Sequence, residues 1–159
     1  MAKETLHFKI GLSGSSPFKQ PEISIAINDN EFFSGCLTLP PNEIEYFEFD
    51  AEIIEGDNSI AIKLKNKQST DTVLDPENKI QSDMLLNIES IEIDEIDLGS
   101  LLWTNSKYIP VYPDDYVQEQ KRLNKELNGE LQYCVNLGWN GTWIFPFQGP
   151  FFIWLLENI

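Results

Sequence analysis

Hydrophobic and polar residues alternate in short runs along most of the first hundred residues, and turn residues separate these runs. Ile23, Ile25 and Ile27 alternate with small or polar neighbours, and residues 60–64 repeat the pattern after a turn at residues 55–59. A period of two is typical of strands with one buried and one solvated face. The pattern therefore predicts an all-β, antiparallel protein.

An isoleucine-rich run at residues 83–103 carries a carboxylate at almost every second position. Its apolar residues change phase near Glu89-Ser90, which predicts a β-bulge there, and again at Asp94-Glu95, which predicts a two-residue turn or a second bulge. A half-buried strand produces this spacing of acids by itself. We therefore interpret most of these carboxylates as a solvent-facing edge rather than as a metal or catalytic cluster.

One helix interrupts the strands. Asp114 follows Pro113 as a helix N-cap, and Gly129 is a typical helix-ending residue. The sequence predicts a short surface helix over about residues 115–128, within an insertion at residues 113–129.

The C-terminal segment predicts a return to strands. Asn140-Gly141 lies between Trp139 and Trp143, and this dipeptide is typical of a hairpin turn. The apolar run at residues 151–158 predicts a buried strand.

Composition and charge limit the classes of function. Ten Phe and four Trp supply a core large enough for one domain over residues 1–159. No apolar run approaches the ~20 residues of a membrane span. The net charge is −15, of which −12 lies in residues 41–100, so nucleic acid and membrane are not expected partners. Cys36 and Cys134 have no CxxC spacing, and we expect free thiols.

Catalytic motifs are missing from the sequence. His7 is the single histidine and no GxSxG accompanies it, so a nucleophilic triad is not supported. Neither GxGxxG nor GxxxxGK[ST] occurs. We expect a protein that is not an enzyme.

The aperiodic loop at residues 66–82 offers oxygen ligands of the kind that calcium prefers. Asp71, Asp75 and Asp83 are the candidate metal ligands on or beside this loop. The alternative is a solvated acidic loop without a metal.

Aromatic residues follow the acidic strand. Trp103, Tyr108 and Tyr112 lie in an irregular stretch where exposed rings could stack on the apolar faces of sugars. The alternative is that they pack this stretch onto the sandwich.

Residues 55–99 resemble the calcium-dependent xylan-binding modules, which are small jelly-roll β-sandwiches. The resemblance lies in GDNSIAIKLKNK, an Asp-containing loop, and SDMLLNIESIEIDEIDLG. It implies a jelly-roll-like β-sandwich, calcium as a cofactor, and a metal-ligand role for Asp83. Where that family has Asn-Asp, this chain has Asn66-Lys67.

The whole chain is also similar to small β-sandwich proteins of tailed phages that infect marine bacteria, especially cyanobacteria. NLGWNGTW and PFFIWLLEN carry this likeness. It implies a role in the virion or in infection, with synthesis in the bacterial host cytoplasm without a signal peptide. Expected partners are a glycan, other virion subunits or further copies of the chain.

We expect a non-catalytic phage module that binds a host-surface glycan with assistance from calcium. The first alternative is a structural virion protein that packs through its aromatic C-terminus. The second is an accessory domain of a carbohydrate-active enzyme.

Overall fold

Strands and short helices follow one another along residues 3–159, the part of the chain that the computed structural model describes. The strands are β1 (Lys3–Gly14), β2 (Glu22–Ile27), β3 (Asn30–Cys36), β4 (Glu45–Ile54), β5 (Gly56–Leu64), β6 (Val73–Leu74), β7 (Ile80–Ser82), β8 (Leu86–Ile93), β9 (Ile96–Asp97), β10 (Lys107–Pro110), β11 (Leu131–Gln132), β12 (Asn136–Leu137) and β13 (Gly141–Gly149). The helices are α1 (Leu101–Thr104), α2 (Asp114–Arg122) and α3 (Phe151–Asn158), and a 3-10 turn spans Ser69–Asp71.

Two antiparallel sheets enclose the core. Sheet A has the strand order β12-β8-β1-β4, with β9 also paired to β8. Sheet B has the order β11-β10-β13-β5-β2-β3, and β6 and β7 form a separate small hairpin. Phe8 of sheet A and Phe147 of sheet B meet across the interior, with ring centroids 6.4 Å apart. The predicted antiparallel β-sandwich is therefore confirmed.

The alternating positions point inward as predicted. Ile23 and Ile25 of β2 are fully buried, as are Ile60 and Ile62 of β5. These two strands are hydrogen-bonded neighbours in sheet B, with Ile25 opposite Ile62. Burial of a branched aliphatic side chain contributes about 1.5–3 kcal/mol relative to exposure, so this alternation selects the buried face of each strand.

The predicted bulge in β8 is present at Glu89. Gly11 of β1 pairs with Ser90, whereas Leu12 pairs with Ile88, so Glu89 is the extra residue. The bulge restores the phase of the strand, and apolar residues on both sides of it are buried.

The predicted two-residue turn at Asp94-Glu95 has the backbone conformation of a tight hairpin, and so does the turn at Asn28-Asp29. Asn28 and Asp29 have φ values of 49° and 69°, and Asp94 and Glu95 have 49° and 68°. Consecutive positive φ values match the right-handed twist of the flanking strands. Asp94 therefore occupies a turn, where its Oδ1 accepts a hydrogen bond from the backbone N–H of His7 at 2.7 Å.

The C-terminal run is a helix, and the prediction of a buried strand was wrong. Pro150 precedes α3 and fixes the backbone at its start. Phe151, Trp154 and Leu155 are buried at the i, i+3, i+4 spacing of a helix. A short, wholly apolar run has no period that would distinguish a strand from a helix.

The surface helix is shorter than predicted, because α2 ends at Arg122 rather than near residue 128. Leu123 leaves the helical conformation with ψ near 2°, and Asn124 has a φ of 55°. No residue of α2 is buried, so no packing contact favours further turns. Among the described residues, no helix is long and apolar enough to span a membrane.

The Asn140-Gly141 dipeptide is not a hairpin turn, which corrects the prediction. The strand before it, β12, pairs with β8 in sheet A, whereas β13 after it pairs with β10 and β5 in sheet B. Residues 138–140 therefore carry the chain from one sheet to the other.

Candidate functional site

A cleft of about 510 Å³ opens between the loop that follows β5 and helix α2. The crossing segment 138–140 forms its base. The loop side contributes Lys67, Gln68, Ser69, Thr72, Ile80 and Asp83, the helix side contributes Val111, Pro113, Asp115, Tyr116 and Glu119, and the base contributes Gly138, Trp139 and Asn140.

The ammonium group of Lys67 lies at the base of this cleft and is bound by three oxygen atoms. Its Nζ lies 2.5 Å from Oδ1 of Asp83, 3.1 Å from the carbonyl oxygen of Met84 and 3.1 Å from that of Gly138. The Lys67 side chain is only 6% exposed. Hydrogen bonds that involve charged groups are the strong ones, and here all three ammonium protons have an acceptor.

The side chain of Asn140 holds the backbone of Lys67 in place. Its Oδ1 accepts a hydrogen bond from the Lys67 N–H at 2.7 Å, and its Nδ2 donates to the Lys67 carbonyl at 2.9 Å. Gly141, the next residue, allows the chain to pass close to β10, since a Cβ atom there would lie 2.3 Å from the carbonyl oxygen of Ile109. The crossing segment thus holds both the backbone of Lys67, through Asn140, and its ammonium group, through the Gly138 carbonyl.

Two aromatic rings, Trp139 from the base and Tyr116 from α2, form an aromatic wall of the cleft, and Tyr112 packs behind them. Trp139 lies 4.6 Å from Tyr116 and 5.4 Å from Tyr112 between ring centroids. The hydroxyl of Tyr112 donates to the carbonyl of Asn128 at 2.7 Å, and burial, with a smaller effect of Tyr116, raises the pKa of Tyr112. Trp139 and Tyr116 line the cleft, with Tyr112 packed against both rings.

Carboxylates lie on the helix side of the cleft. Glu119 accepts hydrogen bonds from Arg122, at 2.6 Å from Nη2, and this pairing lowers the pKa of Glu119. Asp115 accepts a hydrogen bond from the N–H of Tyr116 at 2.9 Å. The helix therefore presents carboxylate acceptors beside the aromatic wall, which is suited to binding hydroxyl donors.

The three candidate metal ligands have other partners. Asp83 accepts hydrogen bonds from Lys67 and from the hydroxyl of Thr72, the latter at 2.8 Å. Asp75 accepts from the N–H groups of Glu77 and Lys79, both at 2.9 Å, and so closes a local turn.

Asp71 binds Lys19, whose ammonium lies 2.9 Å from Oδ2. Burial alone would raise the pKa of Asp71, but the hydrogen bond from the Gln68 N–H and the charge of Lys19 more than offset it, so the pKa is lowered. Among residues 3–159 no three His, Cys, Asp or Glu side chains form a group that could hold a metal ion. The structure thus does not bring Asp71, Asp75 and Asp83 to one point, and this donor set does not fit calcium.

The candidate ligand-binding aromatics are separated by the fold. Tyr108 is only 1% exposed and its hydroxyl donates to the carbonyl of Trp139, so a stacking role for its ring is corrected to one in the core. Desolvation raises the pKa of Tyr108. Trp103 is half exposed and packs on Tyr133 at 4.7 Å, and neither residue lines the cleft. Tyr112 is close to the cleft, behind Tyr116 and Trp139.

Trp139 is the residue that sequence reasoning missed. The sequence placed Trp139 and Trp143 on either side of a predicted hairpin turn, but Trp143 is buried and its Nε1 donates to the carbonyl of Cys134 at 3.1 Å. Only the crossing between sheets turns Trp139 toward α2. That contact joins residues more than twenty positions apart, and the local pattern contains no signal for it.

The molecule is thus an antiparallel β-sandwich with an aromatic-walled cleft. No protein-family model matches the sequence, and no curated protein matches it.

Two solved structures, both of vCBM60, are similar to this chain. One belongs to work on circular permutation as an evolutionary link between two families of calcium-dependent carbohydrate binding modules. It is 12% identical to this chain, with a TM-score of 0.51, and the match covers 88% of this chain and 89% of that chain. The other is vCBM60 in complex with galactobiose, 12% identical, with a TM-score of 0.49 over 87% of this chain and 96% of that chain. At this identity the likeness to the first structure shows a common fold.

Proposed function

We propose that this chain is a non-catalytic carbohydrate-binding module and that its ligand lies in the cleft between the loop after β5 and α2. The observation that carries this proposal is the pair of cleft-lining rings, Trp139 and Tyr116, opposite polar side chains of the loop. The apolar face of a sugar ring stacks on an aromatic face, and its hydroxyls need hydrogen-bond partners at the edge. Gln68, Ser69 and Asp115 provide such partners.

The size of the cleft agrees with a short oligosaccharide. Small-molecule sites typically measure about 300–1,000 Å³, and this cleft holds about 510 Å³. The shared fold with vCBM60, a carbohydrate-binding module, supports the same class of ligand. Host-surface glycans are the source that the phage-like sequence pattern suggests.

Binding of the purified chain to a panel of soluble polysaccharides and oligosaccharides tests the proposal. The panel includes galactans and xylans, and titration calorimetry measures the affinity. We expect Trp139→Ala to weaken binding by at least about tenfold, since loss of a stacked aromatic costs on the order of 1–3 kcal/mol.

Trp103→Ala is the matched control, because Trp103 is half exposed but lies outside the cleft. Tyr116→Ala provides a second cleft variant, on a helix that has no buried residue. Equal affinity of all three variants and the wild type would rule out the cleft, and no binding across the panel would rule out the function.

A second candidate function, packing against other subunits of a virion, is supported by the outer face of α3. Phe152, Ile153 and Leu156 are 44%, 58% and 74% exposed on this face. Light scattering over a range of concentrations tests the version in which the partner is another copy of the chain. Association that Ile153→Glu abolishes would support it, and a monomer at every concentration would contradict it.

A further inference from the structure

The strongest unassigned feature of the molecule is the buried ammonium group at the base of the cleft. Lys67 draws together three separate parts of the chain: the exit of β5, the residues before β8, and the crossing segment. Its acceptors are one carboxylate oxygen, on Asp83, and two backbone carbonyls, of Met84 and Gly138. A ring of carboxylate and carbonyl oxygens around one positive charge is the arrangement that proteins also use for a bound cation.

A calcium ion would not fit among these atoms. Calcium takes 6–8 oxygen ligands, usually several of them anionic, whereas the atoms around the Lys67 ammonium comprise one carboxylate oxygen and two carbonyl oxygens. Asp83 is the single carboxylate that contacts the Lys67 ammonium, and its charge is already balanced there. The single positive charge and the three donors of the ammonium match one carboxylate oxygen and two carbonyl oxygens.

The lysine is also held rigidly. Asn140 binds its backbone N–H and carbonyl, and the side chain is 6% exposed. Thr72 donates a further hydrogen bond to the same Asp83 oxygen, which fixes the carboxylate from the loop side. The ammonium therefore has little freedom to leave the base of the cleft.

We propose that the Lys67 ammonium is the permanent cation of the cleft and takes the structural place of a metal ion. Lys67 is a positioning residue: it joins the loop, the start of β8 and the crossing segment that carries Trp139. The cleft is consequently complete without calcium. This inference does not depend on the identity of the ligand, since folding stability reports it directly.

The first experiment compares melting temperatures in millimolar calcium and in chelator at the same ionic strength. We expect the wild type to melt at the same temperature in both. Lys67→Met keeps the length of the side chain but leaves Asp83 as an unpaired, part-buried charge, so we expect its melting temperature to fall by about 10 °C.

Lys63→Met is the matched control, because Lys63 is an exposed lysine of the neighbouring strand β5. We expect that variant to melt within about 2 °C of the wild type. A calcium-dependent rise in the melting temperature of the wild type would overturn the proposal. Equal melting temperatures for Lys67→Met and Lys63→Met would do the same.

The second experiment replaces the lysine so that the site can bind calcium. Lys67→Asp places two carboxylates beside two carbonyls and removes the resident charge, so we expect this variant alone to gain stability from calcium, with a matching change in tryptophan fluorescence on titration. A folded Lys67→Asp variant that ignores calcium would contradict the idea of a cation site. If the variant is unfolded in both media, the comparison of Lys67→Met with Lys63→Met decides the question.

Discussion

Asn58 is the most densely hydrogen-bonded buried side chain at the corner where β4 passes to β5. Its Oδ1 accepts from the N–H of Ile54 at 2.9 Å and from Nδ2 of Asn28 at 2.6 Å. Its Nδ2 donates to the carbonyls of Ile54 and Gly56 at 2.8 and 3.0 Å. Asn58 is 4% exposed, so water cannot replace these partners.

Asn58→Ala should therefore lower the free energy of unfolding by about 2–4 kcal/mol, because it leaves buried backbone groups without partners. Denaturant unfolding measures the change. Asn128→Ala serves as the control, since Asn128 is exposed, and should shift stability by less than about 0.5 kcal/mol. Equal midpoints for the two variants would show that the corner is held by other contacts.

His7 is a second residue whose environment affects the stability of the folded chain. Its Nδ1 lies 2.8 Å from Asp50 and its Nε2 lies 3.2 Å from Glu48. The hydrogen bond to Asp50 and then that to Glu48 raise the pKa of His7 above 6.5. The protonated ring therefore stabilises the folded chain.

This stabilisation is fully present below the unfolded-state pKa of about 6.5, and it is lost as the pH rises through the higher folded-state pKa. We expect the melting temperature of the wild type to decline as the pH rises through and above about 6.5, and His7→Asn to flatten this decline. Calorimetric scans across this pH range provide the comparison. Parallel pH profiles for the two proteins would contradict the assignment.

Helix α3 packs over one part of sheet B. Trp154 contacts Phe145 and Phe147 of β13, with ring centroids 6.0 and 6.2 Å apart, and it is 9% exposed. Leu156 lies on the opposite side of the helix and is 74% exposed. The helix therefore has one face in the core and one in solvent.

Trp154→Ala should cost about 3–5 kcal/mol of unfolding free energy, because it opens a cavity against β13. Leu156→Ala should cost less than about 0.5 kcal/mol, because the side chain is already exposed. Chemical denaturation followed by circular dichroism measures both. If Leu156→Ala were the more damaging change, the outer face of α3 would have to be covered in solution.

Elements with a clear period were predictable, and elements defined by distant packing were not. The alternation of Ile23, Ile25 and Ile27 identifies β2, and the phase change at Glu89 identifies the bulge, since both are local consequences of burying one face. Helix α3 has no such period, because almost every residue in it is apolar. Its type was decided by contacts with β13 that the local sequence does not specify.

The candidate site follows the same distinction. Sequence alone proposed Asp83 as a metal ligand beside the loop at residues 66–82, whereas the structure brings Asp83 within 2.5 Å of the Lys67 ammonium. The sequence did not predict the burial of Tyr108, because the strand β10 that buries this ring is only four residues long. The sequence also did not predict the contact between Trp139 and Tyr116, since that contact requires the crossing between sheets.

At the scale of the whole molecule, acidic charge is concentrated on the outer face of sheet A. Central strand β1 carries the compensating cations: Lys9 lies 3.9 Å from Glu92, and Lys3 lies 3.7 Å from Glu52. Such exposed pairs contribute little individually. The net charge of −15 therefore leaves a repulsion that acts across the whole chain.

Added salt should consequently raise the melting temperature. Screening shortens the range of repulsion from about 30 Å at 0.01 M to about 3 Å at 1 M ionic strength, whereas the exposed ion pairs have little to lose. Thermal scans in sodium chloride across this range, repeated with a neutral osmolyte as a control, measure the effect. A decrease with salt would show that local ion pairs outweigh the net repulsion.

The bond between Asn140 and the backbone of Lys67 has a practical consequence for producing this protein. Asn140-Gly141-Thr142 is an acceptor sequence for N-linked glycosylation in a eukaryotic secretory pathway. A glycan attached to Nδ2 before folding would occupy the atom that donates to the Lys67 carbonyl, at the narrow crossing between the sheets. Expression hosts that modify this asparagine should therefore yield misfolded chains, and Thr142→Val would restore folding there by removing the acceptor sequence.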